Sequence, residues 1–400
     1  MPLAVTGAAL LVLGLVAAWS GLLPWSALGA LADRVVPILA FVAAITVVTE
    51  LLNTSGLFDW IAQRFRRWGR GRAWALWVLV TVLSLAATVF LSLDTTAVLL
   101  TPIVVILARR CGLAPLPFAL TAVWLANTGS LLLPVSNLTN LLALPAIGNA
   151  QPAAFAARMA LPAAWCALVP AAAVVLLFRK ELGRRYVARP ATTPGPAPAL
   201  DPAPTPAADP AGDAMLLRIA GAVLVLLLPA LVSGVPVWIP AGAAAAVLVV
   251  AFGLLRRSAL DWSLVPSQLI LFASGLFVAM EALQGLGARE LAAGFLGSGD
   301  GPLDLVRVSA AGAVAANAVN NLPAYLALEH AAGSPARLAA LLVGVNAGPL
   351  VTPWASLATL IWHEQLRRLG VRISWWGYAA AGLVLVPLMI VPAALLAAAT

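Results

Sequence analysis

The chain is divided into apolar runs close to the roughly 20 residues that an α-helix needs to cross a bilayer, among them Leu3 to Trp19, Val35 to Leu52, Trp74 to Leu91 and Ala160 to Phe178. Chain surrounded by lipid must pair every backbone N–H and C=O internally, so only helices and closed barrels can span. A barrel would show short alternating segments, and these runs are continuous. With 62% hydrophobic and 10% charged residues among 400, the reading is an all-α integral membrane protein embedded in a lipid bilayer. The net charge of +8 does not indicate a nucleic-acid partner. Its arginines sit between apolar runs, where the positive-inside rule accounts for them. The first run has no basic segment before it and reads as a retained helix rather than a signal peptide. Cys111 and Cys166 lack CxxC spacing, so neither a disulfide framework nor a metal site is expected; His330 and His363 follow the ends of apolar runs and read as solvated.

Two polar, Gly- and Pro-broken stretches interrupt this pattern. Ala126 to Asn140 reads ANTGSLLLPVSNLTN and Val345 to Thr359 reads VNAGPLVTPWASLAT. Laid together without a gap they pair Asn127 with Asn346, Gly129 with Gly348, Leu131 with Leu350, Pro134 with Pro353 and Leu138 with Leu357. The repeat extends upstream, pairing Glu50 with Glu281 and Gly56 with Gly287, and by position Asp94-Thr95 with Asn320-Asn321. Broken helices in membranes persist where they are buried in protein or line a wet cavity, and matched breaks in two halves point to a transporter's binding site.

The fold expected is therefore two inverted repeats, each with a helical hairpin and a broken transmembrane helix. Residues 1–178 form the first repeat, 179–214 a cytoplasmic Pro/Ala-rich linker, 215–234 an additional transmembrane helix and 235–400 the second repeat. Leu57 to Arg67 reads as a short interfacial helix, with Leu57, Phe58, Ile61 and Phe65 on one face. Threading from a cytoplasmic N-terminus puts eighteen Lys and Arg residues inside, including Arg64 to Arg72. Only Arg34, Arg158, Arg289, Arg307 and Arg337 fall outside. That asymmetry supports the threading and places the C-terminus externally.

Half-helix N-termini favour anions and freed carbonyls favour cations, so the site is expected where hairpin tips meet the breaks. From the first half it draws Asp94, Thr95, Thr96, Asn127, Thr128, Ser136, Asn137, Thr139 and Asn140; from the second, Asn320, Asn321, Asn346, Thr352, Ser356 and Thr359. The plainer role for any one Ser, Thr or Asn is hydrogen-bonded packing between helices. Asp94 is the most informative, since an intramembrane carboxylate marks an ion or proton path; Glu50 and Glu281 are second candidates. No Lys or Arg occurs in either broken stretch, which suits a neutral ligand. There is no GxxxxGK[ST] loop and no Ser-His or paired-Asp arrangement at depth for an intramembrane protease, so transport without a cofactor is the reading, driven by an ion gradient, by a separate ATPase subunit or by the substrate's own gradient. A non-transporting scaffold would leave the matched breaks unexplained.

SGLFDWIAQRFRRWGRGR from Ser55, LTPIVVILA from Leu100, ANTGSLLLPVSNLTNLL from Ala126, VNNLPA from Val319, TPWASLATLIW from Thr352 and ISWWGY from Ile373 together resemble the arsenical pump membrane proteins of the ion transporter superfamily. The resemblance implies a plasma-membrane carrier exporting arsenite or antimonite in exchange for protons, sometimes with a partner ATPase. Several relatives carry Asp where this chain has Asn127 and Asn346, so that, if the family couples through those acids, either Asp94 carries more of the proton coupling or the coupling ion differs. The alternative within the superfamily is a sodium-coupled carboxylate or sulfate transporter.

Overall fold

The computed structural model describes residues 3–186 and 210–398; most of the expected linker and Thr400 lie outside these. Helices α1 (Leu3–Trp19) and α2 (Trp25–Thr54) lead into α3 (Leu57–Trp68). Helices α4 (Ala73–Phe90) and α6 (Thr101–Arg110) are the arms of a hairpin, with the single turn α5 (Leu93–Thr95) and a π-helical turn, Thr96–Leu100, at its tip. Next come the broken helix α7 (Leu116–Thr128) and α8 (Leu138–Gly148), then α9 (Pro152–Leu177) and the short α10 (Arg179–Leu182). After the linker run α11 (Pro210–Ala230), α12 (Trp238–Leu255), α13 (Ser267–Leu283) and α14 (Arg289–Leu296). A second hairpin, α15 (Pro302–Val319) with α16 (Asn321–Ala332), precedes the second broken helix, α17 (Pro335–Ala347) with α18 (Leu357–Arg368), and α19 (Trp375–Ala398) follows. Seven of the described helices are long and apolar enough to cross a membrane.

The repeat is written into the backbone. Both broken helices begin, break and resume at positions 219 residues apart, so Leu116–Thr128 corresponds to Pro335–Ala347 and the 3₁₀ turn Pro134–Ser136 to Pro353–Ala355. The dihedral angles agree: Leu133 (φ −117°, ψ 151°) with Thr352 (−102°, 148°), and Asn137 (−154°, 145°) with Ser356 (−143°, 139°). Gly56 and Gly287, paired in the sequence, both take positive φ (78° and 92°) ahead of the interfacial helices α3 and α14, a conformation that costs glycine little. In α3, Leu57, Phe58 and Phe65 are buried while Asp59, Gln63 and Arg67 are exposed.

The hairpins require a correction. Position pairs Asp94-Thr95 with Asn320-Asn321, but the residue that turns each tip is Ser92 in the first half (φ 137°, ψ 164°) and Asn320 in the second (φ 105°, ψ 154°). Both caps accept from a following backbone N–H, Ser92 Oγ from Thr95 and Asn320 Oδ1 from Leu322. Ser92 is therefore the counterpart of Asn320, and Asp94 that of Leu322. These hairpins share shape without sequence identity, which left the register two residues off.

Packing between halves is reciprocal: α1 lies against α13, and α12 against α2. From α2 to α13 the chain crosses an odd number of times if each hairpin returns to the face it left, so the repeats are inverted. The strand-like contact of Arg72 with Arg185, the Ala73 N–H to Arg184 carbonyl bond (3.0 Å) and the Tyr186 hydroxyl to Arg66 carbonyl bond (3.2 Å) tie the basic segment after α3 to the end of α10. Arg256 reaches the Thr54 carbonyl (3.5 Å) and Asp213 (3.7 Å) on the same face. On the other face Arg34 clamps Glu329 through two bonds (3.0 and 2.7 Å) and donates to the Leu142 carbonyl (3.2 Å), joining α2, α8 and α16.

Candidate substrate site

Where the first hairpin tip meets the first helix break, a cavity of about 490 Å³ opens, walled by Phe41, Ile45 and Leu141 and reaching Glu50, Ser92, Asp94, Thr95 and Asn137. Its lining also includes Trp262 in the connection after α12, and Ser267 and Gln268 at the start of α13. Asp94 stands half-buried at the tip, with its Oδ1 enclosed and unpartnered. Ser92 orients that tip: its hydroxyl donates to Thr95 Oγ1 (3.1 Å) and accepts from the Thr95 N–H (3.3 Å). Backbone held at φ 137° in a non-glycine residue stores of order 1–3 kcal/mol, so Ser92 fixes Asp94 in place at a cost. Among the described residues the charged lining consists of two carboxylates, Asp94 and Glu50, with no Lys, Arg or His.

A second cavity of about 590 Å³ shares Glu50, Val98 and Leu99 with the first. It is lined by Asn53, Asp59, Gln63, Arg66, Arg110 and Gln365 and runs towards the basic face. Glu50, a second candidate in the sequence, thus stands at the junction of two chambers.

The remaining sequence candidates sort by what saturates them. Thr96 bonds to Thr88 (2.9 Å) and to the Ser92 carbonyl, Thr128 to the Trp124 carbonyl, and Ser136 to the Val89 carbonyl, which fastens the break to the hairpin. Asn346 joins three side chains. It accepts from Asn137 Nδ2 (2.7 Å) and Thr139 Oγ1 (3.0 Å) and donates to Asn140 Oδ1 (2.9 Å), while Asn140 Nδ2 caps the freed carbonyls of Ser130 and Leu133. Asn127 donates to Thr359 Oγ1 (3.3 Å) from the other side. Each of the paired asparagines therefore bonds across to the opposite broken helix, but neither lines the cavity: of the candidates, only Asp94, Thr95 and Asn137 do.

The second tip also departs from expectation. Asn320 donates to the Trp354 carbonyl (3.0 Å), Asn321 accepts from the Leu322 N–H (2.9 Å) and Thr352 bonds to the Asn317 carbonyl (2.9 Å), all away from the cavity. The sequence reading missed Asn317, which donates to the Gly348 carbonyl (2.8 Å) and accepts from the N–H groups of Val351 and Thr352. It pins the second hairpin to the second break from within an Ala/Val run, with no Gly or Pro to mark it.

Both cysteines are buried and lie outside both cavities. At the basic end of α6, burial pushes the Cys111 thiol up to about 11 against the opposing pull of Arg66, so it stays a protonated, poorly nucleophilic thiol. Among the described residues no group of His, Cys, Asp or Glu could hold a metal ion.

A family model described as "Citrate transporter" (CitMHS) matches residues 1–344. The chain is 29% identical over 378 residues to an "Arsenical pump membrane protein" of Yersinia enterocolitica, covering 88% of this chain and 84% of the relative. With the same-named protein of Escherichia coli K12 it shares 29% over 380 residues, 90% of this chain and 85% of the relative. A "Putative arsenical pump membrane protein" of Bacillus subtilis is 25% identical over 396 residues, covering 91% and 87%. Among solved structures, the Alcanivorax borkumensis YdaH transporter superposes with a TM-score of 0.54 at 16% identity, covering 94% of this chain and 89% of that one, and so shares the fold.

Proposed function

This chain belongs to the CitMHS citrate-transporter family, and from that premise we propose that it is a secondary carrier exporting arsenite or antimonite, as the neutral trivalent hydroxide, across the plasma membrane in exchange for protons. It is a multi-pass membrane transporter and not an enzyme. The observation that carries the choice of cargo is the cavity lining: among the described residues it holds two carboxylates and no cationic group, which suits a neutral hydrogen-bonding ligand. A citrate-like anion would need bound cations to offset Asp94 and Glu50; the family description alone favours that second reading.

In the proposed cycle the substrate enters from the basic face, taken as cytoplasmic with the N-terminus inside and the C-terminus outside. Its hydroxyls meet Asp94, Thr95 and Asn137. An ionised carboxylate with an enclosed, unpartnered oxygen is costly within a membrane, and either a donating hydroxyl or a proton relieves that cost. The two therefore compete for one group, which is the condition for exchange. A separate ATPase subunit would act from the same basic face, since this chain has no phosphate-cradling loop.

The test is pH-driven uptake in inverted vesicles. Parent protein is expected to take up arsenite but not citrate, and Asp94→Asn to lose the pH-driven component by at least about tenfold. Citrate uptake without arsenite uptake, or an Asp94→Asn protein that responds to pH like the parent, would overturn the reading.

A further inference from the structure

The crossing of the two broken helices is built twice, once around Asn346 and once around Asn127, and the two copies differ in a way that has chemical meaning. At the first, Asn346 Oδ1 accepts from Asn137 Nδ2 (2.7 Å) and from Thr139 Oγ1 (3.0 Å). Its amide nitrogen donates to Asn140 Oδ1 (2.9 Å). At the second, Asn127 holds the equivalent place, and its amide nitrogen donates to Thr359 Oγ1 (3.3 Å), the residue that corresponds to Asn140. The donors to its oxygen are missing. Ser356 stands where Asn137 does, with nearly the same φ and ψ, and Ala358 stands where Thr139 does. Shared backbone leaves side-chain chemistry as the difference: an amide shortened to a hydroxymethyl and a hydroxyl removed altogether. Asn127 Oδ1 and Ser356 Oγ are both buried, in residues no more than 1% exposed, and both lack a partner.

Buried polar groups in folded proteins are paired almost without exception, and an unpaired one among helices is costly. Two such atoms, at the one crossing where the saturating side chains have been trimmed, mark a place for a ligand group. Leu357, between Ser356 and Ala358, lines the cavity together with Asn137 and Asp94, so both of these residues adjoin a cavity-lining residue along the chain.

We propose that Asn127, Ser356 and Ala358 form a subsite for one hydroxyl of the neutral hydroxide cargo, which donates to Asn127 Oδ1 in place of the Asn137 amide and Thr139 hydroxyl of the other crossing. This rests on the neutral-hydroxide reading above. A hydroxyl can give its proton to Asn127 and accept one from Ser356, satisfying both atoms at once. A bare sodium ion prefers a fuller shell of oxygens, and the two unpartnered atoms supply only part of one.

The experiment transplants the saturating side chains. Ser356→Asn with Ala358→Thr is expected to close the subsite: melting temperature without ligand equal to or above the parent's, no stabilisation by potassium arsenite, and arsenite uptake reduced at least about tenfold. Ala358→Ser, small enough to be accommodated if the double variant fails to fold, is expected to raise KM for arsenite about threefold or more with kcat retained. Parent-like uptake and stabilisation in the double variant, or an unchanged KM in Ala358→Ser, overturns the subsite while leaving the cargo assignment standing. A parent that ignores arsenite overturns the cargo assignment and the subsite with it. Stabilisation of the parent by sodium chloride but not by potassium arsenite, lost in the double variant, replaces the hydroxyl subsite with a cation site.

Discussion

Asn127 and Asn346 are identical in the sequence and occupy equivalent positions, yet their surroundings differ. Asn346 joins three buried partners, Asn137, Thr139 and Asn140; removing its side chain strands all three among closely packed helices. Asn346→Ala is therefore expected to lower unfolding stability by roughly 1–3 kcal/mol, seen as a reduced melting temperature in detergent. Asn127→Ala, which removes one bond to Thr359 Oγ1 and one to the Val123 carbonyl of its own helix together with an oxygen already unpaired, is expected to cost less than half as much, and an equal loss would refute the distinction. The sequence identified both residues because Gly and Pro flank them. It could not separate glue from ligand, because that depends on residues ten or more positions on, where the second half has Ser356 and Ala358 and the first has Asn137 and Thr139. Asp94 was legible on other grounds: a carboxylate between two apolar runs is costly to keep within a membrane and by default marks an ion or proton path.

At the scale of elements, the register of the two breaks was readable to the residue because their interruptions carry Gly, Pro and Asn in matched order. The hairpin tips were not, because Ser92 and Asn320 share a backbone conformation and no side-chain identity. Helix-to-helix approach was also hidden. Gly275 of α13 packs against the Gly7 carbonyl of α1 so closely that an added Cβ would overlap it, whereas Gly242 of α12, the helix corresponding to α1, has open space around it. Small residues let helix backbones meet where lipid supplies no hydrophobic drive. Gly275→Val is expected to force α1 and α13 apart at a cost of about 1–3 kcal/mol, and Gly242→Val to leave stability within about 0.5 kcal/mol of the parent. Thermal unfolding of the two variants side by side checks this; similar losses would mean that the α1–α13 approach is not tight.

For the whole molecule, the inverted arrangement makes a demand that a parallel repeat does not. Gly112 and Gly333 follow the second arm of the first and second hairpins, and both are exposed. If the halves are inverted, these equivalent residues lie on opposite sides of the membrane, Gly112 with the basic face and Gly333 with the face carrying the Arg34–Glu329 clamp. Placed singly as Gly112→Cys and Gly333→Cys in a protein carrying Cys111→Ser and Cys166→Ser, they are expected to react with a membrane-impermeant maleimide from opposite sides, Gly112→Cys only in inverted vesicles and Gly333→Cys only in intact cells. The background should remain active, since both native cysteines lie outside the cavities and a carrier that held its cargo by thiolates would release it slowly. Charge asymmetry gives the sequence an expected direction, because cytoplasmic loops retain Lys and Arg, and Arg66, Arg72, Arg184 and Arg256, which that threading groups on one side, are tied to neighbouring segments there in the folded chain. Labelling of both positions from the same side would remove the inverted arrangement of the two repeats.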